Sequence, residues 1–518
     1  MLDVFLKKNP QTPQNILPPI FDLTPTLVSP IKLLKKCALA GSRTRGLRMG
    51  GVNVTPTPLA RSKIDGMHSI IKIFTNFFST EKSLRFFQFN LFLSRAHLSS
   101  SLSYFRMRAK QLTTYLEFQN RIGGSLWGLF IGDALAMPAH WYYNRAQLRK
   151  DFGKITTYQA PTLNLPGSIL NVSNTGGGGR GSDEGNIIGD IICHGKKKYW
   201  LRSGSYFYHC TLQKAENTLE VQLTRLLLRH IASQSKSNVG NGYQFNAEKY
   251  REEFVEFMLR PGSHNDTFAS TYIRMFFANF VKGKALDQCP DNDGHNVDTI
   301  DALTSLSPIV IASLLPFTTA DQEQDQNELI ANEQERVKQN TWRFLQCLRR
   351  TNELRNYGDR CSELIYQLIR FNDVHPSGIP LTPAERIQYH TLQTAQSMGY
   401  DLNRLLQSYQ LDDPMTACYI HSSFPALLVF LYKYAHDPHQ CLIASVNAGG
   451  ENVARSAVIG SILGAAYGLA AWKPRLVFEL HDHTAIAQEI SSFVSLFDSD
   501  GEYHVKFYHD QLESEGSL

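Results

Sequence analysis

The sequence predicts an all-α fold, an orthogonal bundle of helices. Apolar residues recur at helical spacing in many segments, and in residues 211–233 they form one continuous side at Leu219, Leu223, Leu226 and Leu227. No convincing alternating pattern of a strand appears, and no internal repeat is evident. A hydrophobic content of 42% supplies a large core. Amphipathic helices without strands can bury their apolar sides only against one another, so a bundle follows.

The helices are predicted in order along the chain. The first spans 111–145, where Leu126, Leu129 and Phe130 follow helical spacing and Pro138 ends the pattern. A loop is expected over 160–205, and a polar, Gln/Glu-rich stretch at 317–358 predicts an exposed helix beside a loop. The same periodicity predicts the remaining helices at 211–233, 245–260, 266–282, 296–316, 360–371, 382–398, 416–436, 451–471 and 484–497.

Charge divides the chain into a basic leader and an acidic body. Residues 1–110 carry a net charge of +13 and the whole chain +5, which leaves −8 for residues 111–518. The body lacks a basic face with interleaved aromatic residues, so we expect no nucleic-acid partner. The apolar runs are expected to be too short to span a bilayer, so we expect no membrane partner. The predicted organisation is a leader at 1–110, a helical domain at 111–500 and a C-terminal tail at 501–518.

The leader has two interpretations. Residues 9–60 are rich in Pro, Thr and Gly and predict disorder, whereas 67–110 are rich in Phe, Ser, Arg and Leu, as in an organelle transit peptide. The alternative, which we favour, is an extension without a targeting role, because a transit peptide normally starts at the first residue. The eight cysteines form no Cys-x-x-Cys pair and indicate reduced thiols. We therefore expect a cytoplasmic protein, or a mitochondrial one if the leader is a transit peptide.

The segment 447–455 is the most informative part of the chain. Gly449 and Gly450 allow a tight turn, Glu451 and Asn452 follow, and a small-residue apolar run then predicts a buried helix. Carboxylate and amide oxygens are thereby placed beside the backbone N–H groups of a helix N-terminus. This arrangement suits a metal ion or a phosphate, although helix capping alone also explains it.

A second segment is informative in combination with residues 447–455. Residues 128–138 read Gly-Leu-Phe-Ile-Gly-Asp-Ala-Leu-Ala-Met-Pro, a small-residue helix that contains Asp133. Together the two segments resemble the ADP-ribosylglycohydrolase family, which opens with Gly-x-x-x-Gly-Asp-Ala-Leu-Gly-x-Pro and closes with Gly-Gly-Asp-Thr-Asp. The closing motif departs from the family pattern, because Glu451, Asn452 and Val453 stand where the family has Asp, Thr and Asp. Ala136 also replaces the last Gly of the opening motif.

Further motifs narrow the resemblance to the branch that includes the jellyfish J-type crystallins. The resemblance covers roughly residues 115–475. The motifs are Tyr208-His209, Lys214-Ala215-Glu216-Asn217-Thr218-Leu219, His264-Asn265-Asp266-Thr267, Asp293-Gly294-His295-Asn296 and Ser423-Phe424-Pro425-Ala426-Leu427.

The resemblance implies the same fold and a magnesium site. In the family, a Thr-Asp-Asp-Thr cluster that matches residues 215–218 helps to hold two magnesium ions. The candidate metal ligands are accordingly Glu216, Asn217, Thr218, Glu451 and Asn452. Only two of these are carboxylates, and the side chain of Val453 offers no oxygen, so two adjacent dications would be poorly neutralised. The sequence thus allows one weakly bound magnesium ion or a metal-free pocket, and no other cofactor is implied.

The two carboxylates, Glu216 and Glu451, are the candidate catalytic residues and are expected to share one cleft. Arg455 follows Glu451 by one helical turn and could pair with it, in place of a lost metal ion. Singly, most of the candidate substrate-binding residues are explained by capping or turn formation, but their joint match to the motifs favours a shared pocket. These candidates are Asp133, Asn217, His264, Asp266, His295, Asn296, Gly449, Gly450 and Arg455.

Two functional classes remain open. The first is a hydrolase of ADP-ribosyl or related N- or O-ribosyl bonds with a degenerate metal site. The second is a catalytically inactive ligand-binding or crystallin-like structural protein. The expected partner is ADP-ribose, free or linked to a protein. The glycine run 176–179 with Arg180 could approach its phosphate groups, although such a run is more often a mobile loop.

Overall fold

The computed structural model describes most of the predicted helical domain. The described residues are 115–168, 187–200, 206–234, 242–294, 296–315, 326–375 and 378–497, and all of them belong to one unit, Ser99–Leu518. The leader at 1–110, the tail at 501–518, the glycine run with Arg180, and His295 lie outside the described residues.

Helices make up the described part of the chain, which contains isolated β-bridges but no strand. This architecture confirms the predicted all-α fold. The α-helices are α1 (115–136), α2 (Arg145–Phe152), α3 (Leu219–Gln234), α4 (Ala247–Leu259), α5 (Thr271–Val281), α6 (Leu306–Ala312), α7 (Gln326–Leu348), α8 (Leu354–Arg370), α9 (Pro383–Ser397), α10 (Leu402–Ser408), α11 (Ile420–Lys433), α12 (Pro438–Ala448), α13 (Val453–Tyr467), α14 (Pro474–Phe478) and α15 (His483–Val494).

Several predicted helices begin later than their periodicity suggested. Helix α3 begins at Leu219 instead of residue 211, and α5 begins at Thr271 instead of residue 266. In both cases the segment before the helix is a loop that contributes side chains to the candidate site. The predicted loop at 160–205 also contains a short π-helix, Ile187–Ile192.

Four short helices were not predicted, namely α2, α10, α12 and α14. Three of them begin at a capping side chain: Asn144, Asp401 and Asp437 each accept a hydrogen bond from a backbone N–H three residues later. Such caps are readable in a sequence. Helices of five to eleven residues nevertheless depend mainly on tertiary packing, which periodicity does not report.

The helices of the two signature segments, α1 and α13, pack at van der Waals distance along their small residues. A Cβ atom added to Gly128 would lie 2.2 Å from the carbonyl oxygen of Gly460, and one added to Gly132 would lie 2.1 Å from that of Ser456. Only glycine permits this approach of two backbones. The contact brings the segment that follows Asp133 beside the turn that carries Glu451.

The expectation that no apolar run is long enough to span a bilayer is corrected, because two helical segments have the required length and apolar composition. These segments are Tyr115–Ala139 and Val453–Ala471, and 100% and 83% of their most apolar windows are buried inside the protein. Their apolar character is explained by their place in the core, since a helix that is hydrophobic all round is typical of the centre of a large helical protein.

Candidate functional site

A cavity of about 610 Å³ lies where the loops before α3 and α5 meet the turn before α13. One wall is aromatic: the ring of Trp141 makes edge contacts with Tyr208 and Phe268 at centroid distances of 4.6 and 5.5 Å. Tyr143 and Tyr419 also line it. The carboxylates on its surface are Asp133, Glu220, Asp266, Asp301 and Glu451.

Glu451 reaches the cavity because of the glycine pair before it. Gly449 and Gly450 have φ values of 78° and 69°, and the N–H of Gly450 donates to the carbonyl of Tyr142 at 2.6 Å. The N–H of Ala454 donates to Oε1 of Glu451 at 3.1 Å, so the side chain caps the N-terminus of α13. Both predicted roles of the segment, tight turn and helix cap, are therefore present.

Glu451 is the end of a buried chain of four titratable side chains. Its Oε2 lies 2.8 Å from Nε2 of His140, and Nδ1 of His140 lies 2.8 Å from Nε2 of His209. Nδ1 of His209 in turn lies 2.9 Å from Oδ1 of Asp266. Burial lowers the pKa of His140, although the charge of Glu451 opposes this effect.

Asp266 is held as an acceptor at the far end of this chain. Besides His209, it accepts hydrogen bonds from the backbone N–H groups of Leu219 at 2.9 Å and Phe268 at 3.1 Å. Burial alone would raise the pKa of this carboxyl, but the charge and hydrogen bond of His209 and the two backbone N–H groups outweigh burial and lower it. Asp266 is accordingly a carboxylate at neutral pH.

Asp133 ties the opening motif to the start of α3. Its carboxylate accepts hydrogen bonds from the hydroxyl of Thr218 at 2.7 Å, the N–H of Thr218 at 2.9 Å and the amide of Asn217 at 2.9 Å. Burial nevertheless raises the pKa of Asp133 to about 6, since these hydrogen bonds only partly offset the desolvation.

The pKa of a second carboxyl group on the cavity surface is shifted further than that of Asp133. Glu220 accepts hydrogen bonds from the hydroxyls of Ser270 and Tyr272. Burial and the nearby charge of Asp301 raise the pKa of Glu220 to about 8, although Arg349 opposes the rise. Glu220 is therefore largely protonated at neutral pH, whereas Asp301 pairs with Arg349 at 3.0 Å.

Two non-glycine residues near the site have left-handed backbone conformations, Trp141 with φ of 61° and Ala215 with φ of 62°. The left-handed backbone conformation costs an L-residue about 1–2 kcal/mol of free energy. Trp141 is one of the residues that line the cavity, and its ring stacks on His140 at 3.9 Å. Backbone strain of this kind is common at functional sites, where the surrounding structure maintains it.

Five of the predicted site residues line the cavity: Asp133, Thr218, Asp266, Asn296 and Glu451. Glu216 and His264 instead line a second cavity of about 310 Å³, so the expectation that Glu216 and Glu451 share one cleft is wrong. The chain turns at Ala215, and the carboxylate of Glu216 then accepts from the N–H of Gln213 at 2.7 Å. Nε2 of His264 bonds to the carbonyl of Ile192 at 2.6 Å.

Four further candidates do not line the cavity and are used within the protein. The amide of Asn217 donates to the carbonyl of Phe130, and that of Asn452 donates to the carbonyls of Ala139 and Val446. Gly449 and Gly450 pack against backbone atoms, because a Cβ on either would lie within 2.4 Å of a carbonyl oxygen. These four residues position the site instead of facing its cavity.

Arg455, the remaining candidate, does not pair with Glu451. Its guanidinium is fully buried and donates to the carbonyls of Ser445 at 2.7 Å and Gly449 at 2.9 Å, at the C-terminal end of α12. Burial lowers the pKa of Arg455 to about 10, although the charge of Glu451 opposes this. The predicted Glu451–Arg455 pair is thus replaced by a helix cap, and the cavity obtains no cation from Arg455.

The ligand set expected for paired magnesium ions does not assemble among the described residues. Within them, no three His, Cys, Asp or Glu side chains are grouped as a metal site. Both oxygens of Glu451 already accept hydrogen bonds, Thr218 donates its hydroxyl to Asp133, and Val453 has no oxygen to offer. These residues do not fit two magnesium ions; binding of a single ion stays a prediction.

Sequence reasoning missed the residues that complete the site: His140, His209, Trp141, Glu220 and Asp301. His209 was quoted as part of a motif without a role, and His140 stands two residues after Pro138. A histidine at either place carries no readable signal by itself. Only its contact with a carboxylate distant in sequence gives it a meaning, as between His140 and Glu451.

The fold and the site define an all-helical protein with a carboxyl-rich cavity next to the ends of two glycine-packed helices. A sequence model described as ADP-ribosylglycohydrolase matches residues 114–503, three quarters of the chain. The chain therefore belongs to the ADP-ribosylglycohydrolase family. Among solved structures it matches an "ADP-ribosylglycohydrolase-related protein complex" at 15% identity and a TM-score of 0.41, over 74% of this chain and 98% of the other. A comparison with curated proteins found no match.

Proposed function

We propose that the protein binds an ADP-ribosyl group in the 610 Å³ cavity and hydrolyses its N- or O-ribosyl bond at Glu451 without a pair of magnesium ions. The observation that carries this proposal is the place of Glu451, a buried carboxylate on the cavity surface whose Oε2 is fixed by His140 at 2.8 Å. Family membership supplies the class of substrate.

Hydrolysis of a ribosyl bond passes through a state with positive charge at C1 of the ribose. A carboxylate held beside C1 stabilises that charge and can accept a proton from the attacking water. The hydroxyl of water joins C1, the bond to the leaving nitrogen or oxygen breaks, and the proton passes through Glu451 to the leaving group. The aromatic wall offers Trp141 and Phe268 as half-buried contact surfaces for the ligand.

The proposal that a pair of magnesium ions is not needed rests on the oxygen atoms that the site offers as metal ligands. The family arrangement requires several carboxylates to neutralise two dications, and this chain has Asn217 and Val453 at two of those positions. Both oxygens of Glu451 accept hydrogen bonds from the protein, and the hydroxyl of Thr218 donates to Asp133.

The phosphate groups of ADP-ribose require a partner of their own. Among the described residues that line the cavity, no Lys or Arg side chain is present, and five carboxyl groups are. The sequence offers the glycine run 176–179 with Arg180 as a candidate for that partner, beside the more common interpretation of such a run as a loop, and the run lies outside the described residues.

The test measures binding and turnover in the same preparation. ADP-ribose binding is followed by calorimetry, and release of ADP-ribose from an ADP-ribosylated peptide is measured with added magnesium or with EDTA. We expect binding in both conditions and turnover that EDTA leaves unchanged. The variant Glu451→Gln should keep binding but lose turnover by about 10²-fold or more, the scale expected for a catalytic acid–base group.

Other outcomes would contradict parts of this proposal. Turnover that is lost on addition of EDTA would show that the oxygen atoms of the site do hold a metal ion that catalysis needs. Binding without turnover would favour the alternative of an inactive ligand-binding protein, which the departures at Asn452 and Val453 support. Absence of both would favour a structural role like that of the crystallin branch that the motifs resemble.

A further inference from the structure

The buried chain Glu451–His140–His209–Asp266 contains three short contacts in series, of 2.8, 2.8 and 2.9 Å. The two imidazole rings are nearly parallel, with an interplanar angle of 10° and a centroid distance of 5.0 Å. All four side chains are almost completely buried, from 1% exposure for Asp266 to 5% for His140. Solvent therefore supplies little hydrogen bonding to these groups, and each contact must be satisfied within the protein.

The number of protons in this chain follows from its geometry. A neutral imidazole has one N–H donor and one bare nitrogen acceptor. If Glu451 and Asp266 are carboxylates, both end contacts take an N–H from a histidine. Two neutral histidines then have no proton left for the middle contact, and two lone pairs would face each other at 2.8 Å. A buried contact of that kind costs the desolvation of both groups without a hydrogen bond in return.

Three hydrogen bonds need three protons, so the chain holds one proton more than two neutral histidines carry. We propose that this proton makes His209 an imidazolium, which donates to Asp266 through Nδ1 and to His140 through Nε2, and that His140 is neutral and donates to Glu451 through Nε2. His209 is then the internal cation of the site, a role that the sequence had suggested for Arg455.

The neighbours of the two rings favour this placement. Asp266 accepts two backbone N–H groups, which holds it as an anion beside His209. Burial lowers the pKa of His140, which keeps that ring neutral. The other groups that act electrostatically on the chain are Asp133, Tyr143, Cys193, Cys210, His264, Cys418 and Arg455.

The consequence for the site is electrostatic. An imidazolium between two carboxylates leaves the chain with a net charge of −1 where separate groups would give −2. His209 acts on Glu451 only through His140, so both histidines are positioning residues: they fix the orientation of the carboxylate and offset its charge. The proton assignment does not require hydrolysis, whereas its use in catalysis rests on the proposed function.

Protonation can be read from nitrogen-15 NMR of the full chain labelled at histidine. We expect both ring nitrogens of His209 to carry a proton near neutral pH, and only Nε2 of His140 to carry one. His209→Gln and His140→Gln assign the signals. A spectrum in which His209 has one protonated nitrogen would overturn the proposal, and so would a doubly protonated His140.

The protein contains a matched control for this measurement. His230 is equally buried and its Nδ1 lies 2.9 Å from Oε2 of Glu253, but no second imidazole follows. One contact needs one proton, so we expect His230 to be neutral under the conditions in which His209 is charged. If His209 and His230 carry the same number of ring protons, their protonation is explained by pairing with a carboxylate. The number of contacts in the buried chain then does not explain it.

The variant Asp266→Asn tests whether the carboxylate of Asp266 is what keeps the second proton on His209. An amide cannot balance an imidazolium as a carboxylate does, so the second N–H signal of His209 should disappear while the signal of His230 stays unchanged. Retention of an imidazolium at His209 in a folded variant would contradict the role assigned to Asp266. If the parent is active, the variant should lower kcat by a larger factor than it changes KM, because His209 acts on Glu451 through His140. If the parent shows no turnover, the NMR result still tests the proton assignment.

Discussion

At the scale of single residues, the cavity contains carboxyl groups that differ in protonation because their neighbours differ. Asp266 accepts backbone N–H groups and has a lowered pKa, whereas Glu220 has hydroxyl partners and a neighbouring carboxylate, and its pKa is raised to about 8. The same side-chain type thus serves as an anion at one place and as a neutral acid at another. The difference is one of burial and partners, not of residue identity.

The variant Glu220→Gln tests the protonation of this carboxyl. The pKa of Glu220 rises from 4.5 to about 8 on folding, so the folded protein binds the proton more tightly than the unfolded chain does. Stability from this group is therefore present below about pH 4.5 and is lost as the pH rises to about 8. A glutamine matches the shape and neutrality of the protonated acid and lacks that loss.

We expect the melting temperature of Glu220→Gln to rise relative to that of the parent as the pH increases through this window. The control is Glu248→Gln, which changes an exposed carboxylate on α4 and should show no such trend. A difference between Glu220→Gln and the parent that does not vary with pH would show that Glu220 is ionised throughout.

At the scale of helices, the contact between α1 and α13 determines the site. Asp133 lies near the C-terminal end of α1 and Glu451 lies just before α13, so a shift of one helix against the other would move both ends of the cavity. The helices approach closely because Gly128 and Gly460 face each other, with no side chain between their backbones.

Gly128→Ala should therefore destabilise the protein. The added Cβ would lie 2.2 Å from the carbonyl oxygen of Gly460, a backbone atom that cannot rotate away. We expect a loss of about 1–3 kcal/mol in the free energy of unfolding, or more, as found for overpacking in cores. Denaturant titration of the full chain measures this loss.

Gly358→Ala is the matched control, since it is also a buried helical glycine. There the added Cβ would meet Cδ1 of Leu345, the movable end of a side chain. Alanine also has a higher helix propensity than glycine, by about 1 kcal/mol. Equal destabilisation by the two substitutions would mean that the contact between α1 and α13 is not especially close.

At the scale of the whole molecule, one site is assembled from many parts of the described chain. Its lining comes from segments near residues 133–143, 208–220, 266–271, 296–304, 417–419 and 451–454, which are far apart in sequence. The start of α1 is anchored at the other end of this part of the chain, where the hydroxyl of Tyr115 donates to the carbonyl of Phe497 at 2.6 Å. The family match begins at residue 114.

Deletion of residues 1–106 should leave a protein that melts cooperatively at the temperature of the full chain. Deletion of residues 1–126 is the control, because it removes Phe118, Ile122 and Leu126, each at most 3% exposed, and should abolish cooperative melting. Scanning calorimetry compares the three proteins. A lower melting temperature after the shorter deletion would show that the leader stabilises the folded part.

The sequence by itself determined the all-α class, the two signature segments and the turn at Gly449 and Gly450, because periodicity, small residues and tight turns are local properties of a chain. It also placed Glu451 and Asp266 at the site. Tertiary structure decided the rest. The left-handed residue Ala215 precedes Glu216, which lies in the second cavity; Arg455 caps α12; and His140 and His209 join carboxylates that are 185 positions apart in sequence, Asp266 and Glu451. Hydrogen bonds between distant segments depend on how helices pack, and no local pattern encodes that packing.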